Sequence, residues 1–231
     1  MSNKYSNALT IVLVMVVVAI LGLVGYMAYD TIHQKNINAQ SNTAIQEFDK
    51  VRRTIKRDNN TVEENETIED TGISEDVLDR LSKDKEGKSQ NQEQTEKTYL
   101  NGYEVLGYIS IPKTKCEYPI LAQVTAKSLE TAVAVLYPSN PVLNTVGNVV
   151  IVGHNYRNNL FFSNNSKLAK GDRIIITSAE EKVTYEIYNM YYTTANDASY
   201  MQRDTEGRRE ISLSTCNNDS TQRLIIWARE K

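Results

Sequence analysis

Cys216 closes the segment Glu210-Ile211-Ser212-Leu213-Ser214-Thr215-Cys216, and Arg223 opens the next β-like segment after a polar run at 217–222. If the two segments form a hairpin, cysteine and arginine face each other across its mouth, about 5 Å apart. The nucleophilic form of a cysteine is its thiolate, and a neighbouring cation favours that form. His154 follows the apolar run 149–153, where Gly153 permits close backbone approach, and precedes a polar loop at 155–159. The imidazole is therefore expected at a strand end, open to a cleft. A thiol, a proton shuttle and a guanidinium gathered at strand ends are what nucleophilic acyl transfer needs. Taken singly, each has a plainer reading: a small core hydrophobe, a structural imidazole, a surface charge.

The elements that must position these groups are mostly strands. Residues 105–111 alternate in polarity and stop at Pro112, and residues 148–152 form the continuous apolar run of a strand covered on both faces. Further strands are expected at 174–177, 183–192, 210–215 and 224–228, with short helices near 128–133 and 160–168. Many strands and few helices predict a mostly antiparallel β-barrel or sandwich. No glycine-rich phosphate loop and no internal repeat is present.

Ahead of this domain, residues 8–29 carry no charge and a single polar side chain, Thr10. A helix of that length covers roughly 33 Å, enough for a hydrocarbon core of about 30 Å. The run is longer than a signal-peptide core, and Tyr26, Met27 and Tyr29 crowd a cleavage position at Ala28, so an uncleaved anchor is expected. Lys4 before the run and Asp30 after it place the N-terminus in the cytoplasm and the bulk outside. Residues 30–98 then form a polar stalk with eleven basic against sixteen acidic residues. Ile45, Phe48, Val51 and Ile55 recur at helical spacing, as do Val77, Leu78 and Leu81 behind a Ser74 cap. These read either as small helices packed on the following domain or as a solvated, transiently helical spacer. Residues 82–98 hold no large apolar side chain and are expected to be flexible. The domain boundaries are thus 1–29, 30–98 and 99–231.

The 231 residues carry a formal charge of −3, against nucleic-acid binding, and two cysteines and two histidines are too few for a zinc ribbon, an iron–sulfur cluster or a disulfide framework. No metal and no cofactor is expected. Glu180 and Glu181, adjacent acids in a turn, read as solvated rather than as a calcium site. Cys116 reads as a structural or incidental free thiol, since a disulfide with Cys216 would silence the nucleophile.

At its motifs the chain resembles the sortases, membrane-anchored cysteine transpeptidases of Gram-positive surfaces. Ser212-Leu213-Ser214-Thr215-Cys216 matches the family's TLxTC pattern with serine at its first position. Gly147-Asn148-Val149-Val150-Ile151-Val152-Gly153-His154, Gly107-Tyr108-Ile109-Ser110-Ile111-Pro112, Phe161-Phe162, Leu168-Ala169-Lys170-Gly171-Asp172 and Arg223 follow in family order. The resemblance implies an eight-stranded β-barrel with Cys216 as nucleophile, His154 as proton shuttle and Arg223 as donor to the substrate carbonyl or oxyanion. It implies cleavage of a C-terminal sorting signal on surface proteins, with the acyl group passed to an amine of a peptidoglycan precursor or a pilin lysine. Thr215, Ser214, Tyr200 and Asn155 are the candidate substrate contacts, with selectivity in the segment 193–209. The 62 positions from His154 to Cys216 leave no room for the inserted helix of class B, whereas the signature serine resembles that class; no class follows. No second hydrophobic span follows the domain, so a doubly anchored arrangement is not expected.

Overall fold

The computed structural model describes residues 2–63 and 97–231. Among these residues nine strands follow one long helix, α1 (Ser2–Glu63): β1 (Thr98–Leu100), β2 (Tyr103–Ile111), β3 (Cys116–Leu121), β4 (Val133–Tyr137), β5 (Gly147–Val152), β6 (Arg173–Ser178), β7 (Lys182–Thr194), β8 (Arg209–Cys216) and β9 (Gln222–Glu230). The sheet order is β1-β2-β3-β4-β5-β8-β9-β7-β6, and β6 pairs back onto β2. That closure makes an eight-stranded barrel from β2 to β9, with β1 a short extra strand on β2. Pairing is antiparallel except at β3–β4 and β5–β8. The interior is filled by alternate residues such as Ile109, Ile120, Val149, Ile151, Leu213 and Ile226, which together form one buried cluster.

Barrel closure depends on a missing side chain. A Cβ on Gly107 would stand 2.1 Å from the Thr177 carbonyl oxygen, a backbone atom of the strand that seals the barrel, and 2.8 Å from Leu143 Cδ1. Gly107→Ala is therefore expected to cost about 3 kcal/mol of stability, the upper range of overpacking effects. Thermal unfolding of the full chain in detergent checks this; an unchanged midpoint contradicts it.

Three strands, β1, β3 and β4, were not expected from the sequence. β1 is only three residues long, β3 contains Pro119, and β4 begins where a helix was expected to end. The helical turn there spans only Ala126–Leu129, capped by Thr125, whose hydroxyl accepts from the Ser128 N–H at 2.9 Å. The β-branched and apolar run that follows is drawn into β4 beside β5. The helix expected at 160–168 is a set of turns with one 3-10 turn, Asn165–Lys167. Phe161 at φ 51° interrupts any helix there.

The apolar run 8–29 lies within α1, with its large side chains exposed along the helix, and is long and apolar enough to cross a membrane. α1 does not stop at the end of that run. It continues as one helix onto the barrel, where Ala44, Ile45 and Phe48 are buried and Val51 and Ile55 half-buried. Phe48 meets Tyr108 edge to face at 6.2 Å, and Arg52 Nε donates to the Ala179 carbonyl at 3.2 Å. The apolar stripe at helical spacing thus covers the outer face of β1, β2 and β3. The second pattern, Ser74 to Leu81, and residues 82–96 lie outside the described residues.

Candidate active site

Cys216 and Arg223 are register partners at the loop end of the β8–β9 hairpin. The loop between them is held by its own side chains. Asn217 N–H donates to the Gln222 carbonyl at 2.9 Å, Gln222 N–H to Asn217 Oδ1 at 3.1 Å, and Asp219 Oδ1 accepts from Thr221 N–H and hydroxyl. Arg223 Nε donates to the Ala195 carbonyl at 3.3 Å, which fixes one edge of the guanidinium. Its Nη1 lies 3.7 Å from Cys216 Sγ. The planar fork therefore has one edge anchored on the segment after β7 and another turned to the sulfur.

His154 reaches the same place from β5. β5 and β8 are parallel, with Val152 opposite Ser214. The register carries on past the strand end: Gly153 N–H donates to the Ser214 carbonyl at 3.3 Å, and the Thr215 hydroxyl donates to the Gly153 carbonyl at 2.8 Å. Beyond β5 the chain stays beside β8, so His154 lies between Gly153, bonded to Ser214 and Thr215, and Asn155, whose Nδ2 donates to the Cys216 carbonyl at 3.0 Å. Only glycine fits at 153, because a Cβ would lie 2.9 Å from both Phe162 Cδ2 and Val133 Cγ1.

The His154 imidazole is half-buried, and this burial lowers its pKa from the ordinary 6.5, with the Glu130 carboxylate opposing the shift. The folded state thus takes up this proton less readily than the unfolded chain. The histidine is neutral in both states well above pH 6.5, so it has no effect there, and it costs stability progressively as pH falls below that value. An NMR titration of a His33→Gln chain, which leaves His154 as its sole imidazole, is expected to give a midpoint below 6.5. Glu130→Gln should lower the midpoint further. A midpoint at or above the ordinary value contradicts both.

The four candidate substrate contacts fall into two groups. Ser214 and Tyr200 border a groove of about 270 Å³ lined by Val124, Leu129, Leu136, Val152, Met201, Asp197 and Arg223. The Tyr200 hydroxyl donates to Ser214 Oγ at 3.3 Å beneath it. Thr215 is buried with its hydroxyl on Gly153, and Asn155 Nδ2 donates to the Cys216 carbonyl at 3.0 Å. These two side chains tie the cysteine and histidine backbones together. Cys116 is buried in β3, is not bonded to Cys216, and burial pushes its thiol pKa up. The Glu181 carboxylate accepts from Arg209 at 3.1 Å. No group of three His, Cys, Asp or Glu side chains fit for a metal occurs among the described residues.

Sequence reasoning missed the network that holds the groove wall. Arg203 forms an ion pair with Glu210 under the segment between β7 and β8, with the Arg203 side chain 12% and the Glu210 side chain 7% exposed. Arg203 also donates to Tyr188 Oη at 2.8 Å and Asn148 Oδ1 at 3.1 Å, and lies 4.4 Å over the Trp227 ring. Asn148 Nδ2 donates to the carbonyls of Tyr200 and Met201 at 3.0 and 2.9 Å. The one available signal was Asn148 itself, a polar residue in a buried apolar strand.

Comparison with known proteins agrees with this fold. The sequence model of the Sortase domain matches residues 109–231. The chain is 30% identical over 130 residues to Sortase A of Bacillus anthracis, and the match spans 55% of this chain and 60% of that relative. Among solved structures it is similar to a lid mutant of Sortase A from Corynebacterium diphtheriae, with 26% identity, a TM-score of 0.52, and coverage of 70% of this chain and 82% of that one. It also shares its fold with a Sortase D5 transpeptidase of Clostridium perfringens, at 21% identity and a TM-score of 0.56 over 84% and 99% of the two chains. By its barrel, its ordered motifs and the span of the matched domain, the chain belongs to the sortase family.

Proposed function

We propose that the protein is a membrane-anchored cysteine transpeptidase that cleaves the C-terminal sorting signal of surface proteins and transfers them to an amine. The observation that carries this reading is the in-register Cys216–Arg223 pair, with the guanidinium turned to the sulfur and His154 at the adjacent strand end. Burial lowers the imidazole pKa and so favours the neutral ring, which can act as a base before it acts as an acid. It takes the thiol proton as Cys216 attacks the carbonyl of a Thr–Gly-like bond. Arg223 donates to the developing oxyanion, with its position fixed in advance by the Ala195 carbonyl. The C–N bond then breaks, His154 gives its proton to the leaving amine, and a thioacyl-enzyme remains. An incoming amine attacks that thioester, His154 removes its proton, and the departing Cys216 sulfur takes that proton back, which restores the starting pair.

The groove beside Arg223 receives the sorting motif, with Ser214 and Tyr200 at its floor and Met201 on its wall; Thr215 and Asn155 serve by holding the cysteine and histidine backbones. Residues 8–29 anchor the chain as a single span, with the N-terminus cytoplasmic and the barrel outside. The acceptor is a peptidoglycan-precursor amine, and a pilin lysine is the competing acceptor.

The test is incubation of the full chain, in detergent, with a library of sorting-motif peptides and both kinds of amine. Mass spectrometry is expected to find an acyl adduct on Cys216 and one peptide–amine product. The amine consumed separates the two acceptors. Intact peptides throughout, with Cys216 still open to alkylation, would point to a non-enzymatic ectodomain instead.

A further inference from the structure

The loop after His154 is organised around aromatic rings. The imidazole lies 4.9 Å from the Tyr156 ring, with the planes tilted by 33°. Tyr156 is 5.9 Å from Phe161, and Phe161 is 4.9 Å from Tyr118 on β3. The Tyr118 hydroxyl donates to Asn38 Oδ1 of α1 at 2.9 Å, next to Ile37, which is buried in the main barrel cluster. A continuous series of contacts therefore runs from the helix that leaves the apolar span to the imidazole.

Phe161 is the unusual member. It is 2% exposed and sits at φ 51°, in the left-handed region that a bulky side chain rarely adopts. Such strain persists only where the surroundings over-determine it. Here Phe162 N–H donates to the His154 carbonyl at 3.1 Å, Leu160 N–H to Asn158 Oδ1 at 2.9 Å, and Tyr156 N–H to Ser163 Oγ at 3.0 Å. The backbone is bent so that the Phe161 ring meets Tyr118 and Tyr156 at once. Glu130 acts electrostatically on both His154 and Tyr156, while Cys216 and Arg223 stand on the neighbouring hairpin. Nothing in acyl transfer itself requires these three rings.

We propose that Tyr156, Phe161 and Tyr118 are positioning residues that hold the His154 ring in its working orientation, with docked α1 fixing the far end of the series through Asn38. The inference rests on the reading of His154 as the proton shuttle. A histidine at the head of a loop can turn about two side-chain bonds, and an aromatic face against one side removes much of that freedom. A catalytic group needs its supporting contacts to stay within a fraction of an ångström of productive geometry.

The test uses the full chain in lipid nanodiscs, with ring-labelled histidine in a His33→Gln background. The parent should give one sharp set of His154 signals. Tyr156 is 40% exposed, so Tyr156→Ala should leave thermal unfolding nearly unchanged. It is expected to broaden or split the His154 signals and to lower kcat about tenfold with KM nearly constant, since misplacement acts on the reacting geometry. The substrate is the peptide selected from the sorting-motif library. Tyr156→Phe should restore both readouts, and Asn38→Ala should move both in the same direction by less. Unaltered His154 signals and kcat in Tyr156→Ala, or a loss that Tyr156→Phe does not rescue, overturn the proposal. The spectral arm does not depend on turnover. A parent that cleaves no peptide sinks the enzymatic reading, and broadening in Tyr156→Ala would still support the ring series.

Discussion

Cys216→Ala is expected to abolish peptide cleavage and acyl transfer, the largest functional loss of any single substitution in the barrel. In the proposed mechanism the sulfur supplies the covalent step, and no other thiol can stand in. Cys116 is 4% exposed on β3, and burial holds it in the protonated form. Arg223→Ala should cut turnover by about 10²–10³-fold, the usual cost of one oxyanion donor. The β8–β9 pairing at that position is made by backbone groups and survives the truncation. Arg223→Lys should not restore activity, because an ammonium lacks the second edge that binds the Ala195 carbonyl. Chromatography of the cleaved peptide separates these outcomes. Parent-like turnover by Cys216→Ala would exclude a cysteine-transferase mechanism.

Glu210→Ala is expected to destabilise the barrel by about 3–5 kcal/mol, as removing one partner of a buried ion pair leaves the other charge uncompensated. Arg203 would remain under the groove wall, over Trp227, with its main counter-charge gone. For a domain of this size the loss corresponds to a fall in Tm of about 10–15 °C. The paired change Glu210→Leu with Arg203→Met should recover much of it, since apolar replacements of a buried pair are often neutral. Tyr188 adds to the network: burial first, then its bond to Glu210, raises its phenol to about 12, so it stays neutral throughout the working range. A Tm within two or three degrees of the parent in Glu210→Ala would place the pair's weight elsewhere.

The parts of the site that the sequence exposed are those where chemistry and strand ends coincide. Cys216, Arg223 and His154 were legible because a short polar loop between β-like runs dictates a hairpin, and because the buried run 148–152 must end where the histidine begins. β3 was hidden by Pro119, which reads as a strand breaker. Its missing donor is tolerated because β3 pairs with β4 only at Ile120 and Leu121, leaving that edge free at 119. β4 was hidden because five apolar residues after a helical turn fit either structure. The bond from Arg203 to Asn148 and the ring series from Tyr118 to His154 join residues far apart in the chain, and periodicity carries no record of such contacts. The juxtamembrane stripe was visible as a helix face, but its two readings differed only in what covered it.

α1 runs unbroken from its apolar span onto the barrel, so in the proposed anchored protein the tether is a mast rather than a leash. Only seven residues lie between Tyr29 and Ile37, the first side chain buried against the barrel, a rise of about 12 Å of helix. A flexible linker would let the catalytic groove roam a hemisphere of wall and solvent, diluting it with the cube of its reach. A stiff one holds the groove at a set altitude, so the search for substrate becomes a planar one. Under the proposed function, sorting signals whose scissile bond emerges at that altitude would meet the enzyme by lateral diffusion alone, and those cut too high or too low would be excluded by geometry before any side chain reads them.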